Sequence, residues 1–190
     1  LMWIYILSVI FWIVGAPLYL KQFYAIKSPF IWMLIGWLLL LSTCLALYQL
    51  RAISPLLLLG LMATIWISDT AAYFTGRAFG KHKLAYTISP NKTWEGVAGA
   101  LMAVLIYGLA WDFWVTEEIL TLTLVPLLIV MAILGIVGDL YESLIKRHAG
   151  VKDSGRILPG HGGILDRIDA LISTLPFAIL ALLIFYSPSL

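Results

Sequence analysis

Charged residues are scarce in this chain, and their scarcity argues against a soluble globular domain. Of the 190 residues, 12% are charged and 62% are hydrophobic. Soluble domains are about 25% charged and about 45–50% apolar. A composition so far from that range is typical of a protein embedded in a membrane.

Cysteine is nearly absent too. Cys44 is the single cysteine, so no disulfide can form within the chain and the redox compartment cannot be inferred. The first apolar run, Leu1–Leu20, lacks the basic n-region and the small-residue cleavage site of a signal peptide. We therefore interpret it as a membrane span. Because the chain begins with Leu rather than Met, we expect it to be part of a longer protein.

Long uncharged stretches organise the sequence. A spanning helix needs about 20 mostly apolar residues, with a range of about 17–25. Four stretches meet this length: Leu1–Leu20, Ser28–Leu50, Ile119–Gly138 and Ala170–Leu190. Two more, Ala52–Ser68 and Gly96–Trp111, reach it only if a charged or polar residue at one end lies at membrane depth. The sequence predicts an all-α, polytopic transmembrane helix bundle of about six spans, forming a single membrane domain over residues 1–190.

The basic residues are distributed unevenly between the two sides of such a bundle. Arg51 alone would lie on one side. The other eleven Lys and Arg would follow spans one, three and five: Lys21, Lys27, Arg77, Lys81, Lys83, Lys92, Lys146, Arg147, Lys152, Arg156 and Arg167. Since cytoplasmic loops carry the excess of Lys and Arg, this bias places the basic loops in the cytoplasm.

An acidic residue stands at the end of the third apolar run. On a helix, Asp69 shares one face with Tyr73, Gly76 and Arg77. A charge at membrane depth usually faces the bundle interior or a wet cavity and marks function. The alternative is a structural ion pair between Asp69 and Arg77. Further on, we expect Ser89 and Pro90 to cap and start the next helix.

The segment 139–146 places four polar residues on one helix face: Asp139, Glu142, Ser143 and Lys146. A simpler interpretation is a solvated helix end with an ordinary Glu142–Lys146 pair. Asp166 and Asp169 would share a face at the start of span six. Carboxylates converging from different helices suit Mg²⁺, a hard ion that takes oxygen ligands and often bridges to substrate phosphates.

Basic residues surround these carboxylates, namely Lys146, Arg147, Lys152, Arg156 and Arg167. Arg can grip phosphate with two parallel hydrogen bonds. The backbone of "GHGG" (160–163) could form an anion nest leading into span six. Together these features indicate a nucleotide or another polyphosphate ligand. Binding of anionic lipid headgroups would explain the bases but not the acids.

The segment 143–169, "SLIKRHAGVKDSGRILPGHGGILDRID", resembles the signature of phosphatidate cytidylyltransferases, also called CDP-diacylglycerol synthases. An upstream block, "DTAAYFTGRAFGKHKLAYTISPNKTWEG" (69–96), is similar to a second characteristic region of that family. Members of the family usually carry further N-terminal helices, so we expect this chain to lack them.

The resemblance implies transfer of CMP from CTP to phosphatidic acid, giving CDP-diacylglycerol and pyrophosphate, with the active site at the cytoplasmic face. It implies catalytic roles for Asp139, Lys146, Lys152, Asp166 and Arg167, and metal binding by Asp139, Asp166 and Asp169. Substrate contacts are expected from Asp69, Arg77, Ser89, Lys92, Thr93, Ser143, Arg147, Asp153, Arg156, His161, Gly162 and Gly163.

The implied cofactor is Mg²⁺. The resemblance does not decide whether a second cation such as K⁺ also binds. The implied partners are CTP, phosphatidic acid and the lipid bilayer, without nucleic acid; a homodimer stays open. We expect a bacterial inner membrane. Two other functions remain: a CTP-dependent lipid-alcohol kinase, resembling dolichol or phytol kinase, and a transporter. The kinase would release CDP instead of pyrophosphate.

Overall fold

The computed structural model describes residues 1–22, 28–114, 121–155 and 163–185. The N-terminal span consists of α1 (Met2–Ile10), a π-helical segment (Phe11–Gly15) and α2 (Ala16–Gln22). The other elements are α3 (Pro29–Ile53), α4 (Pro55–Phe79), β1 (Lys83–Ala85), β2 (Ser89–Thr93), α5 (Trp94–Trp114), α6 (Thr121–His148) and α7 (Leu165–Phe185).

Six helical segments of the described chain are long and apolar enough to cross a membrane, which confirms the predicted number of spans. They cover Met2–Lys21, Pro29–Ile53, Pro55–Phe79, Trp94–Trp111, Leu124–His148 and Leu165–Phe185. Prolines start two of them, since a proline at the first helical position loses no hydrogen bond. Ser54 separates α3 from α4, and its hydroxyl accepts a hydrogen bond from the Leu57 backbone N–H at 3.3 Å.

The helices run beyond the uncharged stretches that predicted them. α4 continues past Asp69 for ten more residues to Phe79, and α6 continues past Asp139 to His148. Asp69 and Asp139 therefore belong to helices that continue for two or more turns toward the basic loops.

A short antiparallel hairpin, β1–β2, follows α4 and was not predicted. The expectation that Ser89 and Pro90 start the next helix is wrong, because both residues lie in β2. The cap of α5 is Thr93, whose hydroxyl oxygen accepts a hydrogen bond from the Gly96 backbone N–H at 3.1 Å. Strand pairing therefore delays the helix start by several residues.

α6 and α7 form the centre of the bundle. Within an apolar stretch of 18 residues, 56% of α6 and 61% of α7 is buried, compared with 22% for each of α3, α4 and α5. Met131 and Leu128 of α6 and Leu175 and Ile179 of α7 are almost completely inaccessible. The outer helices leave large apolar side chains exposed, as expected for surfaces that face lipid.

Small residues bring α4 and α5 into close contact. A Cβ on Gly99 would lie 2.2 Å from the Thr75 Oγ1 and 2.6 Å from the Thr75 Cβ. A Cβ on Gly96 would lie 2.9 Å from the carbonyl oxygen of Ala72. Small residues at such an interface let the backbones of membrane helices approach closely. This contact fixes the hairpin, which connects the two helices.

Gly99→Ala should therefore destabilise the protein by roughly 1–3 kcal/mol, because the added methyl group overpacks the α4–α5 contact. The matched control is Gly36→Ala in α3, where an added Cβ meets no atom of the described chain within 4 Å. The control should be neutral or stabilising by up to about 1 kcal/mol, since alanine is the better helix former. Denaturation in mixed micelles measures both; equal stability of the two variants would contradict the packing argument.

Candidate active site

Polar side chains gather around the C-terminal half of α6 in two groups. The hairpin-side cluster consists of Asp69, Lys92 and Asp139. The loop-side cluster consists of Glu142, Lys146, Ser154, Gly163 and Asp166. The predicted helical spacing of Asp139, Glu142, Ser143 and Lys146 is confirmed, because α6 continues through all four residues. One turn of α6 separates the two clusters.

In the hairpin-side cluster, Lys92 of β2 forms an ion pair with Asp139. Ser143, one turn further along α6, donates a hydrogen bond to the other oxygen of Asp139 at 3.3 Å. Asp139 also interacts electrostatically with Asp69 of α4 and Asp169 of α7. Three helices and the hairpin thus contribute charges to one small region.

A cavity of about 400 Å³ opens beside this cluster. Asp69, Asp139, Lys92, Ser89 and Thr93 are among the residues that line it. Apolar side chains complete its wall, including those of Leu84, Val97 and Ile136. The cavity therefore offers charged groups on one part of its surface and a lipid-like environment on another.

The hairpin is held so that Lys92 reaches α6. The His82 backbone N–H donates to both carboxylate oxygens of Glu95 at 3.2 Å, and the His82 Nδ1 lies 2.6 Å from Glu95 Oε1. The Trp94 N–H donates to the His82 carbonyl at 3.0 Å. Thr93 is 4% exposed and caps α5. These contacts anchor both ends of the hairpin to the start of α5.

In the loop-side cluster, Lys146 lies between two carboxylates. Its Nζ is 2.7 Å from Glu142 Oε2 and 2.7 Å from Asp166 Oδ1. Asp166 also accepts hydrogen bonds from the Ser154 hydroxyl at 2.9 Å and from the Gly163 N–H at 2.7 Å. The Ser154 N–H donates to both carboxylate oxygens of Asp166, at 3.2 and 3.0 Å. Asp166 therefore joins α6, the 149–155 segment and α7.

Gly163 allows this loop to close tightly. A Cβ at this position would lie 2.2 Å from the Ser154 hydroxyl and 2.8 Å from the Gly155 nitrogen. The Ser154 N–H and hydroxyl can reach Asp166 because the two backbone segments come this close. Asp166 stands in the first turn of α7, where the helix dipole favours a negative charge.

The structure brings some predicted residues together, while others lie on the exposed surface or outside the described residues. Arg77 donates to the Tyr73 hydroxyl at 3.0 Å, and no ion pair joins it to Asp69 within the described chain. Arg147, Lys152, Asp153 and Arg167 are exposed. Arg156, His161 and Gly162 lie outside the described residues.

Two residues were not assigned to the site from the sequence. Glu142 is only 7% exposed, so the interpretation of this segment as a solvated helix end is wrong for Glu142. Its spacing from Asp139 was visible in the sequence, but its burial depends on packing against other helices. Ser154 was missed because its role requires the loop to return to Asp166, which no local pattern predicts.

The carboxylates agree in chemistry with a hard cation such as Mg²⁺, which takes oxygen ligands. Asp69, Asp139 and Asp169 come from three helices, and their like charges repel one another. Among the residues the structure describes, however, no three His, Cys, Asp or Glu side chains are grouped tightly enough to count as a preformed metal site. The donor set fits the ion, while its arrangement would have to tighten around it.

Comparison with known proteins adds an independent finding. The model of the cytidylyltransferase family matches residues 1–185. A phosphatidate cytidylyltransferase of Staphylococcus saprophyticus is 48% identical over 130 residues, covering 68% of this chain and 50% of that protein. Proteins of the same name from Staphylococcus haemolyticus and Haemophilus influenzae are 53% and 42% identical, covering 59% and 64% of this chain and 43% of each relative. The chain thus spans about half the length of the curated relatives it matches.

Lys146→Met should destabilise the protein strongly, by roughly 3–5 kcal/mol, because it leaves Glu142 and Asp166 without their shared cation. Lys146→Arg should restore part of the loss, since it keeps the charge. Lys21→Met is the matched control, because Lys21 is exposed at the end of α2. Denaturation in mixed micelles measures all three variants. A Lys146→Met protein as stable as the control would show that Lys146 does not hold the two carboxylates.

Proposed function

The chain belongs to the cytidylyltransferase family, and from this premise we propose that it transfers CMP from CTP to phosphatidic acid, giving CDP-diacylglycerol and pyrophosphate. The observation that carries the proposal is the pair of lysine–carboxylate clusters on α6. They combine cations that can bind phosphate with carboxylates that suit a metal ion. The names of the relatives agree with this reaction.

The position of the clusters suits two substrates that arrive from different phases. α4 and α6 end, and α7 begins, on the same side of the bundle, together with the hairpin. A water-soluble triphosphate can reach this side from the solvent. A phosphatidate headgroup can reach it from the bilayer while its acyl chains stay against the apolar outer faces of the helices.

The proposed reaction needs no nucleophile from the protein. A phosphatidate oxygen attacks the α-phosphorus of CTP, a new P–O bond forms, and the bond to the β-phosphate oxygen breaks as pyrophosphate leaves. Charge grows on the leaving group, so cations fixed near it and accurate positioning supply most of the acceleration. Lys92 and Lys146 are both held in place by ion pairs with carboxylates of the two clusters.

Lys146 can hold the site and still contact substrate. An ammonium group has three N–H donors, and two of them serve Glu142 and Asp166. The third can donate to a phosphate oxygen. Arg147, Lys152 and Arg167 are exposed near the same end of the bundle and would add further phosphate contacts. Ser89 and Asp69 line the cavity from the hairpin and α4.

Asp139, Asp166 and Asp169 remain our proposed Mg²⁺ ligands. The electrostatic repulsion between Asp139 and Asp169 supports two of them, and Asp69 interacts electrostatically with both. When bound there, the ion would neutralise charge on the phosphate oxygens of CTP. Asp166 is held by Lys146, Ser154 and Gly163, which fixes its orientation. A K⁺ ion and a homodimer remain expectations from the family resemblance.

We place the clusters on the cytoplasmic side of a bacterial inner membrane, because the basic loops lie on that side of the bundle. Single cysteines in a Cys44→Ser background test this orientation. In intact cells, a membrane-impermeant maleimide should label Ala52→Cys at the end of α3. It should label Lys81→Cys, just after α4, only once the membrane is permeabilised. The reverse pattern would contradict the proposed orientation.

Lys92→Met should lower kcat/KM for CDP-diacylglycerol formation by roughly 10²-fold or more, because a fixed cation near the developing charge is lost. The matched control is Lys81→Met, a change at an exposed lysine outside the clusters, which should retain activity. The assay uses the protein in phosphatidylcholine nanodiscs with CTP, phosphatidic acid and Mg²⁺, and measures CDP-diacylglycerol and pyrophosphate. Full activity of Lys92→Met, or release of CDP in place of pyrophosphate, would contradict the proposal.

A further inference from the structure

The backbones of α6 and α7 approach each other closely at Gly138, the residue before Asp139. A Cβ on Gly138 would lie 2.5 Å from the Oγ of Ser173, 2.9 Å from the Cβ of Ser173 and 3.0 Å from the carbonyl oxygen of Asp169. Carbon atoms in contact normally lie about 3.5–4.0 Å apart. The interface therefore has no room for a side chain at position 138 unless one helix moves.

The atoms that face Gly138 cannot give way by themselves. Ser173 is completely buried, and its hydroxyl donates to the Ala170 carbonyl at 2.9 Å. The Cβ of Ser173 and the carbonyl of Asp169 are fixed to the backbone of α7, so a change of rotamer cannot move them. A methyl group at position 138 would displace the two helices from each other by roughly half an ångström or more.

This close approach lies between two carboxylates of the proposed active site. Asp139 follows Gly138 on α6, and Asp169 is the residue whose carbonyl faces Gly138 on α7. The two carboxylates interact electrostatically across the interface. Because like charges repel, attraction between the side chains cannot hold them near each other. Backbone packing at Gly138 has to do so.

Contacts on either side of Gly138 keep the helices together, so a displacement would be local. Toward the basic loops, the Nζ of Lys146 is 2.7 Å from Oδ1 of Asp166. In the other direction, Gly135 also faces α7, but a Cβ there would lie 3.7 Å from the Ala170 Cβ, which is an ordinary contact. The steric constraint is therefore specific to Gly138 and does not extend to the glycine one turn earlier.

We propose that Gly138 is a positioning residue, which sets the distance between Asp139 and Asp169 and thereby the affinity of the metal site. The inference rests on the proposed function, because both carboxylates are among its Mg²⁺ ligands. Mg²⁺ requires oxygen ligands at about 2.0–2.1 Å in nearly octahedral geometry. A set of ligands has to be held within about 0.5 Å of its working geometry. The displacement caused by a methyl group at position 138 is at least of that size.

Mn²⁺ binding, followed by electron paramagnetic resonance in phosphatidylcholine nanodiscs without CTP, tests the proposal. Asp139→Asn identifies the signal that belongs to the site. Gly138→Ala should weaken this binding roughly tenfold or more, as expected when the support of metal ligands is lost. The matched control is Gly135→Ala, which adds the same methyl group to the same helix and should bind as wild type. Wild-type affinity in Gly138→Ala, or Mn²⁺ binding that Asp139→Asn leaves unchanged, would overturn the proposal.

A second substitution separates positioning from a general loss of stability. Gly138→Ala/Ser173→Gly removes the contacts at 2.5 and 2.9 Å, so most of the lost Mn²⁺ affinity should return, although glycine weakens α7. Gly138→Ala/Ser173→Ala removes only the hydroxyl and keeps the contact at 2.9 Å, so its binding should stay weak. No recovery with Ser173→Gly would contradict the proposal. Because CTP is absent, a failure of CMP transfer would leave the Mn²⁺ result standing.

Discussion

Charge balance along α6 is the constraint on which the rest of the structure depends. The helix carries Asp139 and Glu142 into an apolar bundle, where an unpaired carboxylate is costly. Lys92 neutralises one from the hairpin, and Lys146 neutralises the other from the same helix. Each lysine also joins separate parts of the chain. Buried and half-buried ion pairs contribute little net stability, but they fix the relative positions of the groups they join.

The same pairs explain how an anionic substrate could be received. In the structure, the lysines are already bound to carboxylates. Under the proposed function, phosphate groups of CTP would share these lysines, and the carboxylates would then be available to a metal ion. An exchange of this kind requires cations and anions to be interleaved, as they are in both clusters. A site for anionic lipid headgroups alone would need only the bases.

Much of this arrangement could be predicted from sequence because it depends on local periodicity. The spans follow from uncharged length, and the shared face of Asp139, Glu142, Ser143 and Lys146 follows from helical spacing. Contacts between distant segments could not be predicted in this way. The Lys92–Asp139 pair depends on how the hairpin pairs, the role of Ser154 on how the loop returns to Asp166, and the burial of Glu142 on helix packing. The prediction that Ser89 caps a helix was wrong because Ser89 pairs in β2. A serine before a proline favours a helix cap only where the segment does not form a strand.

The fate of each phosphorus atom of CTP tests the central claim most directly. A single turnover with the protein in nanodiscs containing phosphatidic acid, run separately with CTP labelled at the α- or the γ-phosphorus, reports which atom reaches the lipid. The account predicts that the α-label enters the lipid and the γ-label leaves as pyrophosphate. Transfer of the γ-label to lipid, with the α-label retained in CDP, would contradict it.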